Sequence, residues 1–218
     1  MKTIVYVGAS DGGSLKNIID QNNDDLIQVY AFEPSPQNFV ELTSKLGDYD
    51  NVELVNAACG LENGKSTLYI TRYENSSSIG KINHEFLNTE NKVYGAEILK
   101  TIEIDMINLY DYLTSKGVTE VDSLITDCQG SDLNVLSTII NTDIKIHNIT
   151  CETHNNGVVL YHGLQNSFDE HKKLLGHKYE FLFGVPSGDD GVLRWKYPQD
   201  KLLTNTQLNE WDSYWRLK

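Results

Sequence analysis

Through the first two-thirds of the chain, short runs of aliphatic and β-branched residues alternate with polar stretches that carry apolar residues at helical spacing. Residues 3–8 (TIVYVG) predict a buried strand, followed by a turn and a helix over 14–21. Residues 28–33 (QVYAFE) predict a second strand. Pro34-Ser35-Pro36 then opens a helix to about Leu46, with Ser35 as N-cap and Pro36 at its first position. Residues 51–56 (NVELVN) form the third strand. Strands too apolar to have a wet face, spaced by helices, predict a parallel sheet covered on both sides.

The pattern changes over 57–73, where Glu62-Asn63-Gly64 reads as a hairpin turn between AACG and STLYITR. Residues 74–100 are polar, rich in Asn and Ser and weakly periodic, and are expected to form a lid or acceptor-binding insertion. Alternation then resumes with a strand (KTIEID), a helix over 108–115, a strand over 121–127, a helix over 131–140 capped by Ser131 or Asp132, and a strand over 145–152. A helix around 160–175 precedes strands over 179–184 and 191–197. These two are joined closely enough, through 186–191, to require an antiparallel pair. The aromatic stretch 195–218 suits either a platform for sugar rings or a terminal helix packed on the domain, and packing is the expectation. With no internal repeat or composition break, residues 1–218 read as one domain.

The formal net charge of −13 opposes phosphate backbones and anionic lipid, and Arg194 and Lys196 make no basic patch. The charge therefore excludes nucleic acid and favours a neutral or cationic small molecule. Cys59, Cys128 and Cys151 are odd in number, widely spaced and set in apolar runs, which fits neither a disulfide framework nor a zinc site. With no signal-like start and no apolar run of membrane-spanning length, a cytoplasmic protein is expected.

The first turn, Gly8-Ala9-Ser10-Asp11-Gly12-Gly13, carries the strongest chemical signal. Glycine between a strand and a helix lets the backbone approach a ligand closely. Glu33 ends the second strand, where an acid accepts hydrogen bonds from ribose hydroxyls. Together they point to an adenosine ligand. A pyrophosphate wants glycine at the second position of GxGxxG, yet Ser10 stands there and the anionic Asp11 follows. An acid in the turn suits a sulfonium and an ammonium, so S-adenosylmethionine is favoured over NAD.

Several segments resemble the FkbM-type S-adenosylmethionine-dependent methyltransferases: VYVGASDGG, YAFEPSPQNFVEL, NVELVNAACGLENGKSTLYI, the serine cluster at 75–78, TIEIDMINLYDYL, VDSLITDCQGSDLNVL and ITCE. They cover residues 3–152 in the family's order. The resemblance implies a Rossmann-like class I methyltransferase: a mostly parallel seven-stranded sheet, an antiparallel C-terminal hairpin and helices on both faces. It also implies transfer of methyl to oxygen, on a hydroxyl of a sugar, glycan or small metabolite. Carried over, Gly8, Ala9, Ser10, Asp11 and Gly12 surround the methionine end, Glu33 holds the ribose, Pro34 and Ser35 edge the adenine side, and Ala57 and Ala58 lie near the base. Ser77, Ser78, His84 and Glu152 are the acceptor-side candidates. The sequence departs from the family at Gln129, where an acid is usual, and at Asp132, a shorter acid displaced from the usual place.

An alcohol acceptor must lose a proton, so a base is sought at the carboxyl ends of the central strands. Asp127 closes the fourth and is the first candidate; His154 lies just past the fifth and is the second. Asp127, Glu152 and His154 would bind a metal only if their strand ends converge, and Gln129 removes one expected carboxylate, so no metal is expected. Two rivals remain, both on the same fold: an NAD-dependent sugar-modifying oxidoreductase, lacking a Tyr-x-x-x-Lys pair here, and a non-catalytic module that binds S-adenosylmethionine.

Overall fold

The computed structural model describes residues 1–22, 26–83, 97–186 and 210–218. Its centre is a seven-stranded sheet in the order β11-β12-β9-β8-β1-β2-β3. Five strands are parallel: β1 (Lys2–Val7), β2 (Ile27–Phe32), β3 (Val52–Val55), β8 (Glu120–Thr126) and β9 (Lys145–His154). At the far edge, β11 (Tyr179–Pro186) and β12 (Glu210–Leu217) are antiparallel. This is the mostly parallel sheet with antiparallel end strands that the alternation predicts.

Helices cover both faces because each central strand is apolar on both sides. Helices α1 (Gly13–Gln21) and α2 (Pro36–Leu46) bury Leu15, Ile19, Leu42 and Leu46 against Ile4, Val29 and Ala31. Ser35 caps α2 as expected: its hydroxyl accepts from the Asn38 N–H at 3.4 Å, with Pro36 at the first turn. On the other face, α3 (Leu109–Ser115), α4 (Asp132–Ser137) and α5 (Phe168–Leu175) cover Val5, Phe32, Leu124, Ile149 and the indoles of Trp211 and Trp215. No helix among the described residues is long and apolar enough to cross a membrane.

Three local expectations are corrected. The segments either side of Gly64 do not pair as a hairpin. Instead β4 (Ala58–Gly60) and β5 (Gly64–Thr71) flank β7 (Ile98–Asn108) in a separate three-stranded sheet, so the turn chemistry is overridden by the longer partner. The helix expected from residue 160 starts only at Phe168, since Tyr161–His162 forms β10, paired with β6 (Lys81–Ile82), and Gly163 turns left-handed at φ 78°. The C-terminal aromatics sit on a strand, not a helix: Trp211 and Trp215 point into the core around Phe168 and Phe181 at centroid distances of 5.1–6.1 Å. Residues 191–197, the hairpin into them and His84 lie outside the described residues.

Candidate functional site

The carboxyl ends of β1, β2 and β8 meet one continuous cavity of about 1040 Å³. The turn after β1 is shaped by backbone more than by side chains. Gly8 takes φ 82° and passes so close to β8 that a Cβ there would lie 1.9 Å from the Asp127 carbonyl oxygen. Ser10 is itself left-handed at φ 49°, an uncommon conformation for a residue with a side chain. Gly8, Ala9, Ser10 and Asp11 line the cavity with Glu33, Pro34, Ala57 and Ala58; Gly12 and Ser35, expected there too, do not line it.

Glu33, only 5% exposed, ties this turn to α2. One carboxylate oxygen accepts from Ser10 N–H at 2.8 Å and the other from Ser35 N–H at 2.7 Å. Burial raises its pKa to about 7, against the lowering effect of those two bonds. Asp11 is not a lone anion in the turn, for Lys45 at the end of α2 pairs with it and holds its carboxyl below the usual range. Nothing in the local pattern around residue 11 or 45 points to that pairing. A strap over the turn was also unforeseen in detail: Ser10 Oγ donates to Asn75 Oδ1 at 2.9 Å, and Ser35 Oγ to Glu74 Oε1 at 2.7 Å. Ser77 and Ser78 line the cavity too, though their hydroxyls serve backbone: Ser77 Oγ accepts from Thr71 N–H, and Ser78 Oγ donates to the Gln129 carbonyl at 2.7 Å.

Gln129 is the hub of the far end. Its backbone is left-handed at φ 51°, which aims the amide back over the strand ends. Its nitrogen donates to Asp127 Oδ1 at 3.0 Å and to Glu152 Oε2 at 2.9 Å, while its oxygen accepts from the Tyr161 hydroxyl at 2.8 Å. A carboxylate could donate neither bond to Asp127 and Glu152, so the departure at 129 has a local reason. Asp132, fully buried, accepts from Cys128 N–H and Asn166 Nδ2 at 3.1 and 3.3 Å.

Asp127 borders the cavity, and Glu152 and His154 do not. Glu152 is fully buried and His154 is 2% exposed, its Nε2 lying 3.1 Å from Glu152 Oε1. Burial lowers the His154 pKa to about 4. It also holds Glu152 well above the usual carboxylate range, aided by the charges of Glu210 and Asp127. β12 completes the wall with Glu210, Asp212 and Tyr214. These are the residues that sequence reasoning missed, although 210–217 (EWDSYWRL) carries the period-two signal of a half-buried strand.

Residues 7–183 match the family model of the FkbM methyltransferase domain. The chain belongs to the FkbM methyltransferase family. A solved FkbM methyltransferase from Methylobacillus flagellatus has the same fold at TM-score 0.54 and 14% identity, over 98% of this chain and 43% of that one, so this chain spans less than half of that protein's length. A chain of a fibrillarin/Nop5p complex aligns at TM-score 0.52 and 9% identity, over 100% of this chain and 73% of that one. Methanococcus jannaschii fibrillarin, a pre-rRNA processing protein, aligns at TM-score 0.52 and 12% identity, over 99% and 66%. Among curated proteins, none matches this sequence.

The methyl donor of this FkbM methyltransferase is S-adenosylmethionine. Its cavity fits that molecule chemically: Glu33 and Asp127 face it, Lys45 offsets the Asp11 charge that the turn was expected to offer, and Gly8 leaves the backbone bare where a side chain would intrude.

The buried acids set a pH dependence. Burial raises Asp132, Glu33 and Glu210 to about 7 and Asp212 to about 8. His154 and His171 are lowered to about 4, so both are neutral in the folded protein above pH 6.5. Above that pH the unfolded chain has already lost its carboxyl protons and the folded one still holds some. Stability therefore falls as pH rises from 6.5 to 8, by about 1.4 kcal/mol per unit for each proton retained. Thermal unfolding of the ligand-free protein is expected several degrees lower at pH 8.5 than at pH 6.5; equal midpoints would mean these carboxyls are ionised throughout.

Proposed function

We propose that this FkbM methyltransferase methylates a hydroxyl oxygen of a neutral or cationic sugar, glycan or small metabolite, with Asp127 as the base. The observation that carries the reading is the position of Asp127. It borders the same cavity as the glycine turn and Glu33, one strand away, and is oriented by the Gln129 amide. Bound in that cavity, S-adenosylmethionine supplies an electrophilic methyl group on a sulfonium. The turn 8–11 holds the methionine end, Glu33 accepts from the ribose, and Pro34, Ala57 and Ala58 lie along the base. Asp127 positions the acceptor hydroxyl and takes its proton on a carboxylate oxygen. His154, neutral and enclosed behind Gln129 and Tyr161, acts through Glu152 rather than on the acceptor. The strap at 74–76 covers the donor turn, and Ser77 and Ser78 line the cavity beyond it.

The acid-lined wall of Asp127, Glu210 and Asp212 and the chain's net charge of −13 support an uncharged or cationic acceptor over a nucleic acid, although Methanococcus jannaschii fibrillarin, similar in fold, is named for pre-rRNA processing.

Isothermal titration with S-adenosylhomocysteine, with NAD⁺ run alongside, tests the donor half. Micromolar or tighter binding is expected, weakened at least about tenfold in Glu33→Ala, with no comparable binding of NAD⁺. Tighter binding of NAD⁺ would return the oxidoreductase reading. Transfer of labelled methyl to a panel of sugars and hydroxylated metabolites tests the acceptor half; binding without transfer to any of them would leave a donor-binding module.

A further inference from the structure

The pairing of β9 with β12 sets Glu152 opposite Asp212 and His154 opposite Glu210. Residues two apart share a strand face, so these four form a block of three carboxylates and one imidazole on a single patch of sheet. Asp127 extends the row. It follows Thr126, which pairs with Cys151, and so falls beside Glu152 on the third strand. Like charges directly opposite one another destabilise a sheet. A buried carboxylate row is held either by protons or by a positive partner. Among the described residues no lysine or arginine pairs with any of these acids; the contact formed there is the hydrogen bond between the His154 imidazole and Glu152, at 3.1 Å.

Glu152, His154 and Glu210 each bring one ligand atom to within 4.8 Å of the others. A point between three such atoms is close enough for modest side-chain adjustment to reach metal–ligand distances of about 2.0–2.3 Å. The surroundings are those of an outer shell. The Gln129 amide fixes Glu152 through its second oxygen, and the Tyr161 ring stacks on His154 at 6.2 Å. Glu152 and His154 are enclosed, while Glu210 borders the cavity, which gives an ion both a way in and an open side.

We propose that Glu152, His154 and Glu210 form a binding site for one divalent metal ion, at the acceptor end of the cavity. Two carboxylates and a neutral imidazole balance a double positive charge. A nitrogen among the ligands favours a first-row transition ion such as Mn²⁺ or Zn²⁺ over Ca²⁺ or Mg²⁺. This differs from the expectation of no metal, which follows from Gln129 standing where the family usually has an acid. The third ligand comes instead from β12, 56 positions beyond His154. The site does not depend on which acceptor is methylated.

The test is a titration of chelator-treated protein with MnCl₂, following the loss of the free Mn²⁺ resonance, with ZnCl₂ as competitor. One equivalent bound is expected, with affinity reduced at least about tenfold in both Glu210→Gln and Glu152→Gln. Asp105→Asn, an exposed acid paired with Lys65, should leave it unchanged. Absence of stoichiometric binding of either ion by protein that still binds S-adenosylhomocysteine overturns the site and leaves the methyltransferase reading standing. So does binding that Glu210→Gln leaves intact, and so does a protein stabilised by methylammonium but not by Mn²⁺, which would make the block a seat for a cationic acceptor. Because Glu152 is wholly buried, its variant counts only if circular dichroism shows it folded; Glu210→Gln, at a partly open position, decides otherwise.

Discussion

Asp127→Asn is expected to lower the turnover of methyl transfer by about 10²–10⁴-fold, measured with the acceptor identified by the panel, while S-adenosylhomocysteine binding changes far less. That range is what a positioned general base contributes. Asparagine keeps the shape of the side chain and an oxygen that can accept from Gln129 Nε2, a bond 3.0 Å long in the native protein. What it loses is the capacity to take a proton. The split between turnover and donor affinity is the decisive readout. Equal losses in both would make Asp127 a wall of the donor cavity, and an unchanged turnover would move the base elsewhere.

Gly8→Ala is expected to destabilise the protein by more than about 3 kcal/mol, enough to threaten folding in a domain of ordinary stability. Two costs combine. At φ 82° an L-residue is strained, by about 1–2 kcal/mol, and the added methyl would sit 1.9 Å from a backbone oxygen that cannot swing away. Gly117→Ala separates them, since Gly117 has φ 73° but open space where the methyl would go. Urea unfolding of both variants should show Gly117→Ala paying the conformational cost alone, with Gly8→Ala lower by at least a further ~2 kcal/mol. Equal losses would mean that β1 and β8 can move apart at the turn.

The parallel half of the fold was legible because its signals are local. Apolar runs of strand length, Ser35-Pro36 at a helix start and the glycines after β1 each act within a few residues, and they define the donor end of the cavity. The acceptor end depends on long-range facts. Nothing near residue 62 announces that β7 will come between β4 and β5 and displace a hairpin. The family departure at Gln129 looked like a lost carboxylate, and only the folded chain brings Asp127, Glu152 and Tyr161 round its amide. Trp211 and Trp215 were rightly expected to pack, but the acids alternating with them on β12 acquire meaning only beside β9. His84, whose role rests on its place in the polar segment 74–100, falls outside the described residues and stays an expectation.

The place of β12 between β9 and β11 bears on how the molecule reaches this state. β12 is translated after both strands it separates, so for a time they stand as open edges on the same side of a growing sheet, each able to take the other as a partner. Closing that gap early would give a sheet one strand short, with neither tryptophan under α5 and no Glu210 or Asp212 at the cavity. The chain would then carry a finished donor half and a missing opposite wall, a misassembly that a probe of donor binding would pass as native.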